Sequence, residues 1–154
     1  MRRPTAIALV LLAAACGERG SATSDSLGVS AAGATALPSG ENRLAVADGN
    51  IWYKLSGAST RAPAILLHGG PGLNSFYMKP FEALGDERPV VRYDQLGSGK
   101  SDKWADTSKF TIAHFVAELD SLRAHLGYER MHIIGHSWGT MLGLEYYRAH
   151  PEHV

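Results

Sequence analysis

The chain has 154 residues, of which 45% are hydrophobic, so it holds enough apolar material for about one domain with a buried core. This composition excludes a chain that is disordered throughout. Fifteen Lys and Arg residues balance fifteen Asp and Glu residues, so we expect no basic surface of the kind that binds nucleic acid.

The N-terminus resembles an export signal. Arg2 and Arg3 precede an apolar stretch over residues 6–15, which is too short to span a bilayer as a helix. The single cysteine, Cys16, closes this stretch after a run of alanines, a pattern similar to the lipidation site of bacterial lipoproteins. We therefore predict a signal peptide over residues 1–16 and export of the protein, with membrane attachment through lipidated Cys16. Ordinary secretion and an unprocessed N-terminus are the alternatives.

The residues after Cys16 are predicted to form a flexible linker and then a β-hairpin. Residues 17–40 are rich in Gly, Ser, Ala and Thr, and they bury too little apolar surface to offset the entropy of ordering. Folded structure is expected over residues 41–154. It opens with strand-like runs at residues 43–46 and 51–55, separated by the turn signal Asp-Gly-Asn at residues 48–50.

Three further apolar runs predict strands that are covered on both faces of a mostly parallel sheet. These strands span residues 64–67, 90–93 and 131–134. Helical patterns alternate with them, and this alternation favours the α/β class with helices flanking the sheet.

The first two helices carry clear start and stop signals. Asn74 and Ser75 are candidate N-caps of the first helix, and Gly85 can end it. The second helix begins at Thr111 and ends at Gly127. Its apolar positions at helical spacing are Ile112, Phe115, Val116, Leu119, Leu122 and Leu126. The polar residues assigned to its solvent side are Glu118, Asp120 and Arg123.

The third helix is predicted to open at Ser137 and to run to about Ala149, ahead of Pro151. Its apolar residues at helical spacing are Met141, Leu142, Leu144 and Tyr147.

The most specific motif lies where the last strand meets this helix. Residues Gly135, His136, Ser137, Trp138 and Gly139 match the G-x-S-x-G nucleophile elbow. The turn is so tight that a Cβ at either glycine is expected to collide with backbone, and Ser137 is forced into a strained conformation with its hydroxyl exposed. A chance Gly-Ser-Gly turn would lack the strand before it and the helix after it, so we predict Ser137 as a nucleophile.

A second motif follows the strand at residues 64–67. It consists of His68, Gly69, Gly70, Pro71 and Gly72. Glycines at this position let backbone N–H groups approach an acyl carbon, as in the oxyanion loop of lipases and esterases. We predict the N–H groups of Gly70 and Trp138 as the two oxyanion donors.

Three motifs together resemble the proline iminopeptidase branch of the α/β-hydrolase fold family. They read HGGPG at residues 68–72, DQLGSGKS at residues 94–101 and GHSWG at residues 135–139. The resemblance implies the N-terminal part of an α/β-hydrolase fold, Ser137 as nucleophile, and hydrolysis of small amides or esters, in that branch often the release of an N-terminal proline from a small peptide. Leu96 stands where that branch usually has Arg. No metal and no organic cofactor are expected, because an acyl-serine mechanism needs neither.

The middle motif also ends like a phosphate-binding loop, with Gly99, Lys100 and Ser101. The P-loop glycine required five positions earlier is replaced by Asp94, so nucleotide binding is not predicted. Asp94 is interpreted as a structural carboxylate at the end of its strand.

The sequence supplies no obvious base for Ser137. In this fold the acid and then the histidine follow the serine, and only seventeen residues follow Ser137. His136 is expected to point away, His150 and His153 lie far down the helix, and four others are interpreted as packing or surface residues. These four are His68, His114, His125 and His132.

We therefore expect a truncated N-terminal portion in which Ser137 is not activated and residues 131–134 form an unpaired sheet edge. An esterase or thioesterase of the same fold is an alternative, and so is a non-catalytic, lipid-anchored binding module.

Overall fold

The computed structural model describes residues 39–104 and 106–154. The predicted signal peptide with Cys16 lies outside these residues, and so does the predicted linker apart from its last two residues. Within the described residues, no helix combines the length and the apolar character needed to cross a bilayer.

The described residues form one five-stranded sheet, in the order β1-β2-β4-β3-β5. The strands are β1 (Gly40–Val46), β2 (Gly49–Ser56), β3 (Ala64–Leu67), β4 (Val90–Asp94) and β5 (His132–Gly135). The predicted hairpin is confirmed, because β1 and β2 pair antiparallel and meet at Val46 and Gly49.

The sheet is mixed, so the prediction of a mostly parallel sheet is only partly matched. β3 lies parallel to β4 on one side and to β5 on the other, whereas β2 joins β4 in antiparallel orientation. Hydrophobic runs cannot reveal this, because they show that a strand is buried and not which neighbour it pairs with or in which direction.

Helices cover both faces of the sheet. The α-helices are α1 (Ile112–His125) and α2 (Trp138–Ala149). The 3₁₀ segments are Ser75–Asp86, Thr107–Lys109 and Pro151–His153. α1 and α2 pack together on one face of the sheet, over side chains such as Ile65 and Val91. Met78 of the 3₁₀ helix Ser75–Asp86 packs on the other face, against Leu66 and Val90.

The predicted starts and stops of the helices are largely confirmed. Asn74 caps the first helix by accepting the Phe76 N–H, and Thr111 caps α1 by accepting the His114 N–H. Gly127, at φ 75°, follows the end of α1. The first helix is of the 3₁₀ type, and Pro80, which has no N–H to donate, lies inside it.

The structure corrects the buried face of two helices. Glu118, predicted on the solvent side of α1, is 3% exposed. In α2, only Leu142 of the four predicted apolar positions is buried, and the buried face is formed by Gly139, Leu142, Gly143 and Tyr146. Met141, Leu144 and Tyr147 are exposed.

Candidate active site

Ser137 lies on the turn that joins the C-terminal end of β5 to the start of α2. Its backbone has φ 53° and ψ −119°, and it is the only non-glycine residue with positive φ in residues 39–104 and 106–154. Its side chain is exposed. This is the strained, outward-facing conformation that the sequence predicts for an elbow serine.

The two glycines of the elbow are required by close backbone contacts. A Cβ at Gly135 would lie 2.5 Å from the carbonyl oxygen of Gly139. A Cβ at Gly139 would lie 2.0 Å from the carbonyl oxygen of Leu67. Because both obstacles are backbone atoms, the turn cannot relax around a larger residue, and the predicted collision is confirmed.

The glycine loop lies beside the elbow because β3 and β5 are parallel neighbours whose C-terminal ends are in register at Leu67 and Gly135. The N–H of His136 donates to the Leu67 carbonyl at 3.0 Å, which ties the two strand ends together. A Cβ built on Gly69 would lie 3.3 Å from the Cβ of Ser137. The two motifs therefore form one site.

The backbone N–H groups of this site divide into two sets. The Gly69 N–H donates to the Tyr77 hydroxyl at 2.6 Å, and the Gly139 N–H donates to the His136 carbonyl at 2.9 Å. Within the described part of the chain, the N–H groups of Gly70 and Trp138 have no hydrogen-bond acceptor. These two groups are free to bind a developing negative charge, and Trp138 also opens α2, where the helix dipole favours an anion.

Gly70 holds an unusual conformation in the loop. Its φ is 127°, and a Cβ there would lie 2.6 Å from the N of Gly72 and 2.8 Å from the N of Leu73. Only glycine fits at position 70, so the backbone N–H predicted as a donor is presented without a side chain beside it.

His68 is fully buried and acts as a structural element below the loop. Its Nδ1–H donates to the Gly69 carbonyl at 2.7 Å, and its Nε2 accepts the N–H of Gln95 at 3.0 Å. Burial lowers the pKa of His68, because a charged ring would lose its hydration there. The neutral ring also leaves Nε2 free to accept the Gln95 N–H. The packing role expected for this histidine is confirmed.

Two bridging residues of the site were missed by the sequence reasoning. Gln95 accepts the indole N–H of Trp138 through Oε1 at 3.0 Å and donates through Nε2 to the His68 carbonyl at 3.3 Å. Tyr77 accepts the Gly69 N–H, and its hydroxyl lies 3.0 Å from Nδ1 of His136. Gln95 belongs to the DQLGSGKS motif, but the motif does not indicate which residues the Gln95 side chain contacts. Tyr77 belongs to no motif that would mark it as part of the site.

Asp94 has the structural role that was predicted. Its Oδ1 accepts the backbone N–H and the hydroxyl of Ser75, and its Oδ2 accepts the N–H of Lys100. The carboxylate thus fixes the start of the 3₁₀ helix Ser75–Asp86 and the end of the loop after β4. Its oxygens are engaged away from Ser137.

The described histidines do not supply a base. His136 lies nearer the glycine loop than predicted, with Nδ1 facing Tyr77, yet no histidine or carboxylate in residues 39–104 or 106–154 makes a hydrogen bond with the Ser137 hydroxyl. His150 and His153 lie beyond the far end of α2.

The same distant region contains three side chains that could offer ligand atoms to a metal ion, with those atoms within 4.8 Å of one another. They are Asp120, His150 and His153. Oδ1 of Asp120 is already shared by Arg123 Nε and the Tyr146 hydroxyl, both at 2.8 Å. Asp120 is therefore engaged in an ion pair within α1 and in a hydrogen bond from Tyr146 that joins α1 to α2.

The fold and this site define a class of protein. The family model for the alpha/beta hydrolase fold matches residues 63–154, and the chain belongs to that family. Within it, the chain is similar to the proline iminopeptidases.

It is 46% identical over 92 residues to the proline iminopeptidase of Heyndrickxia coagulans, covering 60% of this chain and 32% of the relative. It is 43% identical over 99 residues to that of Levilactobacillus brevis, covering 62% and 33%. The chain spans about a third of the length of these curated relatives.

The chain is also similar to solved structures of this family. The proline iminopeptidase of Mycobacterium smegmatis has a TM-score of 0.68 at 35% identity, over 73% of this chain and 40% of that one. A proline iminopeptidase-related protein of Thermus thermophilus has a TM-score of 0.68 at 29% identity, over 75% and 42%. An epoxide hydrolase of Vigna radiata, at 23% identity and a TM-score of 0.67 over 74% of this chain and 37% of that one, shares the fold alone.

Proposed function

We propose that the chain carries the nucleophile and the oxyanion donors of a serine hydrolase that, in its full-length form, releases N-terminal residues, proline above all, from small peptides. The observation that carries this proposal is the exposed Ser137 at positive φ, beside the free N–H groups of Gly70 and Trp138. The similarity to proline iminopeptidases supports the choice of substrate class.

In the proposed reaction, the Ser137 oxygen attacks the scissile carbonyl carbon while a base takes the hydroxyl proton. The carbonyl electron pair moves onto its oxygen, and this oxyanion accepts hydrogen bonds from Gly70 and Trp138. The intermediate collapses to an acyl-serine as the amine leaves with a proton, and water then releases the acid and restores the serine.

The base and its orienting acid belong to the full-length form of this proposal. Because the described residues place no base at the Ser137 hydroxyl, we expect the 154-residue polypeptide alone to be inactive. No metal or organic cofactor takes part in the proposed steps.

A fluorophosphonate probe tests the nucleophile. We expect the full-length form to be labelled at Ser137, Ser137→Ala to abolish the labelling, and Ser121→Ala to leave it unchanged. Ser121 is an exposed serine on α1 and serves as the matched control. Full-length protein that stays unlabelled while binding a partner would instead support a non-catalytic binding module.

The substrate class is tested with chromogenic substrates. We expect the full-length form to cleave a proline anilide faster, by kcat/KM, than an acetate ester of similar leaving group. A preference for the ester would identify an esterase or thioesterase on the same fold.

We also propose that the protein is exported and held at a membrane through a lipidated Cys16. Mass spectrometry of the mature N-terminus tests this, and we expect a diacylglyceryl-modified Cys16 as the first residue. A peptide with unmodified Cys16 joined to the residues before it would remove both the cleavage and the anchor.

A further inference from the structure

The two proposed oxyanion donors come from different parts of the chain. Gly70 follows β3, whereas Trp138 follows β5. Their spacing decides whether both N–H groups reach one oxygen atom, because such donors are effective only at about 2.7 to 3.1 Å from the oxyanion. The backbone bond from His136 to Leu67 fixes the strand ends but does not reach the donors themselves.

Gln95 bridges the two donor segments from the buried side. This residue is 1% exposed, and all of its polar groups have partners, including the backbone carbonyl, which accepts the Ser98 N–H at 2.9 Å. Its backbone N–H donates to His68 Nε2, its Nε2 donates to the His68 carbonyl, and its Oε1 accepts from Trp138 Nε1. The side-chain amide therefore joins the residue that begins the glycine loop to the residue that follows the nucleophile.

The orientation of this amide is set by its partners. The indole of Trp138 can only donate and the His68 carbonyl can only accept, so Oε1 must face Trp138 and Nε2 must face His68. The indole is also held by Phe115 of α1, whose ring packs edge-on at a centroid distance of 5.7 Å. Trp138 thus has little freedom to shift once Gln95 is in place.

We infer that Gln95 is a positioning residue for the hydrolase reaction, which sets the distance between the Gly70 and Trp138 donors through its bonds to His68 and Trp138. This inference rests on the proposed function. Gln95 does not touch the substrate in this role, because it lies buried beneath both segments.

The test uses the full-length enzyme after labelling of its Ser137 has been verified. Gln95→Met removes both side-chain bonds at similar volume. We expect kcat to fall by about 10- to 100-fold with KM changed less than about twofold, since the loss arises mainly in the transition state. Val91→Ala is the matched control: Val91 is a buried residue of β4, the strand that directly precedes Gln95, and we expect a lower Tm with kcat unchanged.

Trp138→Phe breaks the same bond from the other side and keeps the Gln95 bonds to His68. We expect it to lower kcat as well, and the double variant with Gln95→Met to be no slower than Gln95→Met alone, because both remove one shared interaction. If Gln95→Met does not fold, Gln95→Glu replaces it. The carboxylate still accepts from Trp138 but loses the donor to His68, so an intermediate kcat is expected.

These experiments distinguish failure of the proposed function from failure of the positioning role of Gln95. A wild-type enzyme that is never labelled at Ser137 overturns the proposed function itself. A labelled enzyme whose kcat is unaffected by the Gln95 variants, or whose kcat falls no further than that of Val91→Ala at a similar loss of Tm, overturns the positioning role alone. Additive losses from Gln95→Met and Trp138→Phe also contradict the inference.

Discussion

Ser137 is held in a backbone conformation that favours glycine. A non-glycine residue in such a region costs on the order of 1–3 kcal/mol, and the turn retains it because β5 and α2 fix the backbone on both sides. The strain is therefore stored at the residue that presents the proposed nucleophile.

We predict that Ser137→Gly is more stable than Ser137→Ala by about 1 kcal/mol. Alanine keeps the Cβ that makes φ 53° unfavourable, whereas glycine removes it, and the greater entropy of glycine in the unfolded chain offsets part of the gain. Urea unfolding of the two variants measures the difference. Both lack the hydroxyl, so catalysis does not enter the comparison, and equal stabilities would mean that the turn is not strained.

The elbow was the part of the site most accessible to sequence reasoning, because its chemistry is local. Two glycines and a serine at this spacing, between a strand and a helix, predict one specific tight turn. The contacts of Gln95 and Tyr77 were not accessible, because each joins segments that are distant in sequence and meet only when β3 and β5 pair.

At the scale of the helix, α1 shows how residue type can mislead. Glu118 was assigned to the solvent side because it is acidic, although it lies three positions after Phe115 and four before Leu122, on their face. It is buried, its Oε2 accepts the Leu96 N–H at 3.0 Å, and its Oε1 has no partner. Burial raises the pKa of Glu118 to about 8.

The buried face of α2 was missed for a different reason. Gly139, Leu142, Gly143 and Tyr146 share one side of the helix, but glycine contributes no apolar signal to a periodicity. The glycines are needed because the helix lies close to the sheet: a Cβ at Gly143 would be 2.9 Å from Cγ2 of Ile133. Close approach of this kind becomes visible only in three dimensions.

The raised pKa of Glu118 predicts a dependence of stability on pH. Its ordinary value is 4.5, so between about pH 4.5 and pH 8 the folded protein holds a proton that the unfolded chain has lost. The free energy of unfolding contributed by this group therefore falls as pH rises through that window. Glu118→Gln carries no charge and still offers an oxygen to the Leu96 N–H.

We predict that Glu118→Gln loses less stability than the wild type between pH 5 and pH 8, by roughly 1 kcal/mol per pH unit where the slope is steepest. Urea unfolding at several pH values measures it. Below pH 6.5, the ordinary pKa of histidine, the lowered pKa of His68 makes the free energy of unfolding rise with pH, which opposes the effect of Glu118. The difference between variant and wild type removes that contribution, and parallel pH profiles would contradict the raised pKa of Glu118.

At the scale of the whole molecule, two surfaces of the described fold lack a covering element: the outer edge of β5 and an apolar face of α2. β5 pairs with β3 on one side, and within residues 39–104 and 106–154 no strand pairs with its other side. α2 also leaves Met141, Leu144 and Tyr147 exposed, each by more than half. An open strand edge is a template for pairing with another chain.

We predict that the isolated 154-residue polypeptide self-associates through the free edge of β5. His132→Lys should shift the population toward monomer, because His132 is exposed on that strand and a lysine charge opposes edge-to-edge pairing. Size-exclusion chromatography with light scattering at tens of micromolar protein measures the change. Ala117→Lys adds the same charge on the exposed side of α1 and should leave the association unchanged.

A second variant distinguishes association through the exposed face of α2 from association through the edge of β5. If Leu144→Glu restores the monomer and His132→Lys does not, association runs through the exposed face of α2, because a charge there disrupts apolar contact without touching the strand. A wild-type polypeptide that is already monomeric and unfolds in one sharp, reversible thermal transition would contradict both routes. It would mean that the sheet edge is protected by residues outside the described part of the chain or by the twist of β5 itself.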